Sequence, residues 1–357
     1  MAVLLRDLPG SACDFSGSAS FISRMKGMCV IHAPTGCLGN YTGFDEPEWF
    51  TRPGMVFTSS MREDEAIFGL DDILIQKSVK TVRALDPDFF VVLGAPPPAL
   101  IGTDYEAISS AVENETGVPC IAVDTTGFGS YRVGAEKFLS AMADRFLNKC
   151  QTVKGTVNIL GYSYLDYCNE RDMDELCGIL SREWGHINRC DSLDAFVRLP
   201  EAEMNLVVSS SGLKLARWME DEFGIPYSCD LPMGDGVGDI SGSGGRKVLI
   251  IGDQIISNSL RKLVESRYGC ECDVSSFFGI DQSVSAEGDR ALVTESDLRD
   301  RLSCGYDVVI ADPLFRKFTD SDFVSLPQVA VSSRLFWNDH IPTFGRGLVS
   351  LLDRTFV

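Results

Sequence analysis

Short apolar, β-branched runs alternate with longer amphipathic stretches along the whole chain. Val30-Ile31, Val56-Phe57-Thr58, Phe89 to Leu93 and Cys120 to Val123 are short runs bounded by turn residues, which predicts buried parallel strands. Between them, Glu63 to Leu85, Asp104 to Thr116 and Tyr131 to Asn148 carry the spacing of amphipathic helices. The pattern restarts at Thr156 to Gly161. It continues with a helix from Asp172 to Trp184, a strand from Asn205 to Val208 and a helix from Leu213 to Phe223. It restarts again at Lys247 to Asp253. From there it runs through a helix, Cys272-Asp273-Val274, another helix, Asp307 to Ile310 and a last β-rich run, Val329-Ala330-Val331. The prediction is an α/β fold of three consecutive doubly wound, Rossmann-like parallel-sheet units. Their expected bounds are 1–150, 151–233 and 246–357, with the Gly/Ser-rich stretch 234–245 as a flexible linker.

Folds of this kind bind ligands beyond the C-terminal ends of their strands. The turn after Ile31 carries His32 and Cys37, and the turn after Leu93 carries Pro96-Pro97-Pro98. Gly161 and Gly252 follow strands but do not complete a dinucleotide fingerprint, and no Walker A lysine motif is present. If ATP drives this protein, a partner must hydrolyse it.

Composition narrows the partners. At 357 residues and 45% hydrophobic, the chain can bury more than one core. A net charge of -19 argues against coating a phosphate backbone, so no nucleic acid is expected. The longest apolar stretch, Phe89 to Gly102, is broken by prolines and too short to span a bilayer. No N-terminal stretch has the pattern of a secretory leader, so a soluble cytoplasmic protein with no membrane partner is expected. The 12 cysteines do not form a dense disulfide framework. Cys29, Cys120 and Cys304 sit in or beside apolar runs and read as core residues. Cys270-Glu271-Cys272 lies at a helix-to-strand connection and lacks the second pair a metal site would need.

Cys13 and Cys37 differ from these. Each lies in a Gly/Ser-rich or Gly/Pro-rich turn, where a large inorganic ligand can approach a thiolate closely. That suits a soft metal or an iron–sulfur cluster. A cysteine beside glycine is also an ordinary small core residue, and spacing alone leaves both readings open.

In sequence order, these motifs resemble the nitrogenase component 1 family, which includes nitrogenase molybdenum–iron protein subunits, their cofactor-assembly scaffolds and nitrogenase-like tetrapyrrole reductases. Cys13 followed by His32-Ala33-Pro34-Thr35-Gly36-Cys37 is similar to the family's cluster cysteines. Ser59-Ser60-Met61-Arg62-Glu63-Asp64-Glu65-Ala66-Ile67-Phe68-Gly69 is similar to a segment of its β-type subunits. Leu100-Ile101-Gly102-Thr103-Asp104, Gly224-Ile225-Pro226-Tyr227 and Ile341 to Gly347 resemble three further turns. There are also departures. Pro96 stands where the family's third cluster cysteine would be, Ser209 where a large-cofactor cysteine would be, and Phe344 where its histidine would be, with His340 out of register.

The resemblance implies an iron–sulfur cluster, 4Fe-4S or related, bound by Cys13 and Cys37 with its remaining ligands from another subunit. A homodimer would pool four thiolates around one axis; a heterodimer with a sister component 1-type subunit would supply the missing ligands instead. It further implies an iron-protein-like ATPase as electron donor and a small-molecule substrate between the units. Without the large-cofactor ligands, dinitrogen reduction by this chain alone is not expected. A scaffold for metallocluster assembly and a non-catalytic partner subunit are the alternative roles. Asp14 could add an oxygen ligand or cap a turn. His32 could hold its turn or move protons. Glu63 and Asp64 suit a helix N-terminus, and Arg62 could face the ATPase. His186 has no visible partner.

Overall fold

The computed structural model describes residues 5–50, 54–234, 244–340 and 342–357. Most of the expected linker lies outside them. Among the described residues, thirteen strands form three sheets, and every paired strand is parallel. The first sheet contains β1 (Met28–His32), β2 (Met55–Thr58), β3 (Phe90–Gly94) and β4 (Cys120–Val123), in the order β2-β1-β3-β4. The second contains β5 (Thr156–Leu160), β6 (His186–Asn188), β7 (Met204–Val207) and β8 (Tyr227–Ser228), in the order β6-β5-β7-β8. The third contains β9 (Lys247–Ile251), β10 (Glu271–Ser276), β11 (Arg290–Ala291), β12 (Val308–Ala311) and β13 (Asp322–Ser325), in the order β11-β10-β9-β12-β13.

Strand alternation explains why the first sheet reads as continuously apolar. Cys29, Ile31, Val91 and Leu93 join a core with Phe15, Ile22 and Phe138, from the helices Asp14–Arg24 and Tyr131–Phe146. Their neighbours Met28, Val30, Phe90 and Val92 point the other way, onto Leu74, Val79 and Ile108 of the helices Asp71–Leu85 and Tyr105–Thr116. Both faces are covered, so polar alternation has no place.

The expected elements need three corrections. The helix over Glu63 to Leu85 is two helices, Glu63–Phe68 and Asp71–Leu85, parted at Gly69, whose φ of 61° ends the first. The run Val329-Ala330-Val331 begins a short helix, Val329–Ser332, and the edge strand is β13. The Gln328 N–H bonds Asp312 Oδ2 just before that helix, and tertiary context overrides β propensity. Cys304 is exposed rather than core, because it follows the end of the helix Glu295–Leu302, whereas Cys29 and Cys120 are buried.

Two features position the N-terminal cysteine. Glu295 Oε1 accepts the successive N–H groups of Arg6, Asp7 and Leu8 at 2.9, 2.8 and 2.8 Å, strapping the N-terminal segment to the third unit. The Ala12 N–H then bonds the Ala330 carbonyl at 2.9 Å, and Cys13 bridges Ser130. No helix among the described residues is long and apolar enough to cross a membrane.

Candidate functional site

Cys13 caps the N-terminus of the helix Asp14–Arg24, and Cys37 lies in the short helix Thr35–Asn40 just past the C-terminal end of β1. The helix bearing Cys37 runs into a π-helical turn, Tyr41–Asp45. There the Asp45 carboxylate accepts the Ser16 hydroxyl at 2.7 Å, and Ser16 Oγ lies 3.6 Å from the Cys13 sulfur. The buried Ser16–Asp45 bond, with a Ser23–Tyr41 side-chain hydrogen bond beside it, therefore joins the two cysteine-bearing segments. The sequence carries no motif for this link.

Asp14 is buried, and its carboxylate is fully engaged without a metal. It accepts the N–H groups of Phe15, Thr126 and Gly127 at 2.8, 2.8 and 2.7 Å, and the Thr126 hydroxyl at 3.1 Å. Of the two expected roles, it takes the one that fixes a turn. The loop it holds reaches Pro96: a Cβ added to Gly127, whose φ is 77°, would lie 2.6 Å from the proline Cδ. Pro96 opens the helix Pro96–Ile101 at the end of β3. Cys13, its neighbour Asp14 and the proline at the third-cysteine position thus converge on one edge of the first unit.

His32 lies on the same edge and holds its turn. Its Nδ1 is 2.9 Å from Ser59 Oγ, which also accepts the Ala33 N–H at 3.1 Å. The Met61 N–H bonds the Ala33 carbonyl at 2.9 Å, so the two most informative sequence motifs are stitched together. Burial lowers the His32 ring to about 4. The expected result is a ring that stays neutral until the pH falls to about 4, read from histidine NMR resonances assigned with His32→Gln. Glu65 Oε2 accepts the Arg62 N–H at 3.0 Å at the start of the helix Glu63–Phe68, while Arg62, Glu63 and Asp64 are exposed.

Burial pushes the Cys13 thiol up to about 11, aided by Asp45 and Asp14, and also raises the Cys37 thiol. Both are protonated at neutral pH on their own, so a metal would have to displace their protons. Among the described residues, no three His, Cys, Asp or Glu side chains are placed to hold a metal ion together. Two thiols alone do not complete the four-ligand shell of a cubane cluster. Space on the Cys37 segment is open: a Cβ added to Gly36, Gly39 or Gly43 would meet nothing within 4 Å. Among the described residues nothing demands glycine there. Phe44, Ile67, Phe68, Leu100 and Phe128 are exposed on the elements around this edge. The donor set therefore fits one side of a shared thiolate cluster.

The other positions singled out in the sequence lie elsewhere. Ser209 is buried after β7 and donates to the Gly161 carbonyl at 2.6 Å. Phe344 is buried and stacks on Tyr167, with ring centroids 5.7 Å apart. His340 Nε2 lies 2.6 Å from Asp172 Oδ2. Serine and phenylalanine pack into the protein here and offer no metal donor set like the one at Cys13 and Cys37. Cys270 and Cys272 are buried at the start of β10, the opposite end from the ligand-binding strand ends. His186 is exposed at the start of the edge strand β6.

Three consecutive all-parallel sheets with helices between their strands define the α/β fold that the chain shares with nitrogenase component 1 proteins. The chain belongs to the nitrogenase component 1 type oxidoreductase family, whose model matches residues 13–239. The nitrogenase iron-molybdenum cofactor biosynthesis protein NifE of Nostoc sp. is 26% identical over 240 residues, covering 61% of this chain and 48% of the relative. NifE of Sinorhizobium fredii is 28% identical over 238 residues, covering 61% and 47%. The chain thus spans about half the length of the curated relatives it matches. The solved structure described as nitrogenase Cp1 at pH 6.5 shares the fold, with a TM-score of 0.74 over 99% of this chain and 94% of that one, at 15% identity.

Proposed function

We propose that the chain is the cluster-bearing component of a nitrogenase-like, ATP-dependent reductase. Cys13 and Cys37 supply two thiolates to an iron–sulfur cluster, 4Fe-4S or related, and a second component 1-type subunit supplies the rest. A separate iron-protein-like ATPase delivers the electrons, which a cluster of this kind can accept and pass on. What supports this reading is the buried link through Ser16 and Asp45 between the segments that carry Cys13 and Cys37, with exposed apolar side chains on the elements around it. The residues' own work is to hold the thiolates. Ser16 and Asp45 fix the distance between the two segments, Asp14 fixes the loop over Pro96, and His32 with Ser59 fixes the turn.

A second reading, a scaffold on which a metallocluster is built and passed on, is favoured by the curated relatives, which are named as cofactor biosynthesis proteins. Multi-turnover reduction of a small molecule with donor and ATP supports the reductase; a transferable cluster without turnover supports the scaffold.

Anaerobically purified protein is expected to be brown and to contain iron and sulfide. Cys13→Ala with Cys37→Ala should remove most of both while leaving the circular dichroism unchanged. Colourless, iron-free protein after reconstitution, or full iron content in the double variant, overturns the cluster reading.

A further inference from the structure

Three buried carboxylates tie the units together where the C-terminal ends of the middle and third sheets meet. Asp166, in the short helix Tyr164–Tyr167 after β5, accepts at Oδ1 from the Tyr131 hydroxyl of the first unit at 2.6 Å and from the Gln328 amide of the third at 2.9 Å. Asp253, after β9, accepts the N–H of Ser210 from the middle unit at 3.0 Å and caps the helix Gln254–Tyr268. Asp172 accepts the Thr343 N–H at 2.5 Å and meets His340 at 2.6 Å. Asp166, Asp253, Gln328 and His340 line a cavity of about 50 Å³ between these groups. It has room for a few waters and no more.

We propose that Asp166 and Asp253 form a proton-held latch. With one proton on the pair, the middle and third units close over this cavity; loss of that proton to solvent opens the cleft at the strand ends. Only an O–H bond changes. The inference rests on the junction alone and is independent of the cluster reading.

The surrounding groups assign the proton. Asp253 accepts backbone N–H groups from Ser210, Ile255 and Ile256, which favour its charged form. Burial raises both carboxyls; at Asp166 the charge of Asp253 adds to the rise while the Tyr131, Gln328 and Ser209 donors oppose it, so the proton belongs to the pair and is weighted toward Asp166. The other titratable and charged groups at the junction are Tyr131 and Arg132 of the first unit, Tyr167, Cys168 and Asp172 of the middle unit, and Asp312 and His340 of the third. Arg132 is the cation acting on Asp253, and it is already paired with Glu136 at 2.8 Å and Asp281 at 3.9 Å. A second negative charge at Asp166 would therefore be buried with neutral donors from Tyr131, Gln328 and Ser209 and with Arg132 already engaged elsewhere.

Two further features couple to the latch. Cys168, two residues after Asp166, has a φ of 64° in the closed form, a strained value for a residue with a side chain. Gln328 leads into the helix whose Ala330 carbonyl receives the Ala12 N–H, next to Cys13. Movement at Gln328 reaches the segment that carries the cysteine.

A carboxyl raised in the folded state favours folding while it keeps its proton. Its contribution is lost as pH rises from the ordinary carboxylate range toward its raised value. The test is hydrogen–deuterium exchange of the whole chain, corrected for the intrinsic pH dependence of exchange, on peptides covering 161–172 and 327–340, with β1 and β3 as internal reference. Exchange at the junction is expected to rise by about tenfold or more between pH about 5.5 and about 8.5. Asp166→Asn should abolish the rise. Asp253→Asn, which removes the charge that Asp166 faces, should shrink it and keeps the test available if the first variant fails to fold. A flat wild-type profile, an Asp166→Asn profile that still rises, or an Asp253→Asn profile matching wild type overturns the latch.

Discussion

Gly134→Ala is expected to destabilise the protein by about 3 kcal/mol or more and to displace Cys13. A Cβ at Gly134 would lie 1.7 Å from the Asp14 carbonyl oxygen, and one at Gly17 would lie 1.9 Å from the Tyr131 carbonyl oxygen. The helices Asp14–Arg24 and Tyr131–Phe146 therefore meet backbone to backbone, and the Ser18 hydroxyl bonds the Gly134 carbonyl at 2.9 Å. No side chain is available to give way. The helix-propensity gain from glycine to alanine, about 1 kcal/mol, has the opposite sign and is too small to offset the clash. Thermal unfolding should show a loss of roughly 5–10 °C. Because Cys13 caps one of these helices and bridges Ser130 at the start of the other, iron retention should fall as well. Gly36→Ala is the control. It meets nothing within 4 Å, so the isolated chain should change by no more than about 0.5 kcal/mol. A stable Gly134→Ala with full iron content would show that the helix contact does not set the cysteine position.

The sheets were legible because parallel strands buried on both faces leave unbroken apolar runs such as Phe89 to Leu93, and few other elements do. Short edge strands carry no such signal. The strand β6 begins with an exposed histidine, and β11 is two exposed residues. Val329-Ala330-Val331 misled because β-branched composition reports burial as much as conformation; here Asp312 accepts from the Gln328 N–H and the Ser332 hydroxyl at the two ends of the helix. At the candidate site, Cys13, Cys37, His32 and the proline at position 96 were legible as motifs. The groups that hold them were not. Asp45 meets Ser16 across 29 positions, Asp14 meets Gly127 across 113, and Asp166 meets Gln328 across 162. Pairings at such separations leave no periodicity to read in a single sequence.

Asp14→Ala is expected to be the most damaging change at the cysteine edge that leaves every thiol in place. The Asp14 side chain is buried, and its carboxylate accepts three backbone N–H groups and a hydroxyl. Truncation strands the Thr126 and Gly127 N–H groups, and each buried donor left without a partner costs about 1–3 kcal/mol. The sum, about 2–6 kcal/mol, should appear in chemical denaturation as a lower midpoint with an unchanged slope. Asp14→Asn keeps one acceptor oxygen and turns an amide toward donors, so it should fall between wild type and alanine. The local effect separates this from general loss of stability. Releasing Thr126 and Gly127 frees the loop that lies against Pro96 and beside Cys13. At a temperature where the variant is fully folded, labelling of Cys13, mapped by mass spectrometry against the exposed Cys304, should quicken by about tenfold, equivalent to about 1.4 kcal/mol of local opening. Cys13 labelling at the wild-type rate in a destabilised variant would mean that Asp14 serves the stability of the first unit and not the placement of its thiol. The cysteine edge would then rest on the Ser16–Asp45 bond together with the Ser130 bridge and the helix contact at Gly134, and Asp45→Asn would become the variant that loses iron.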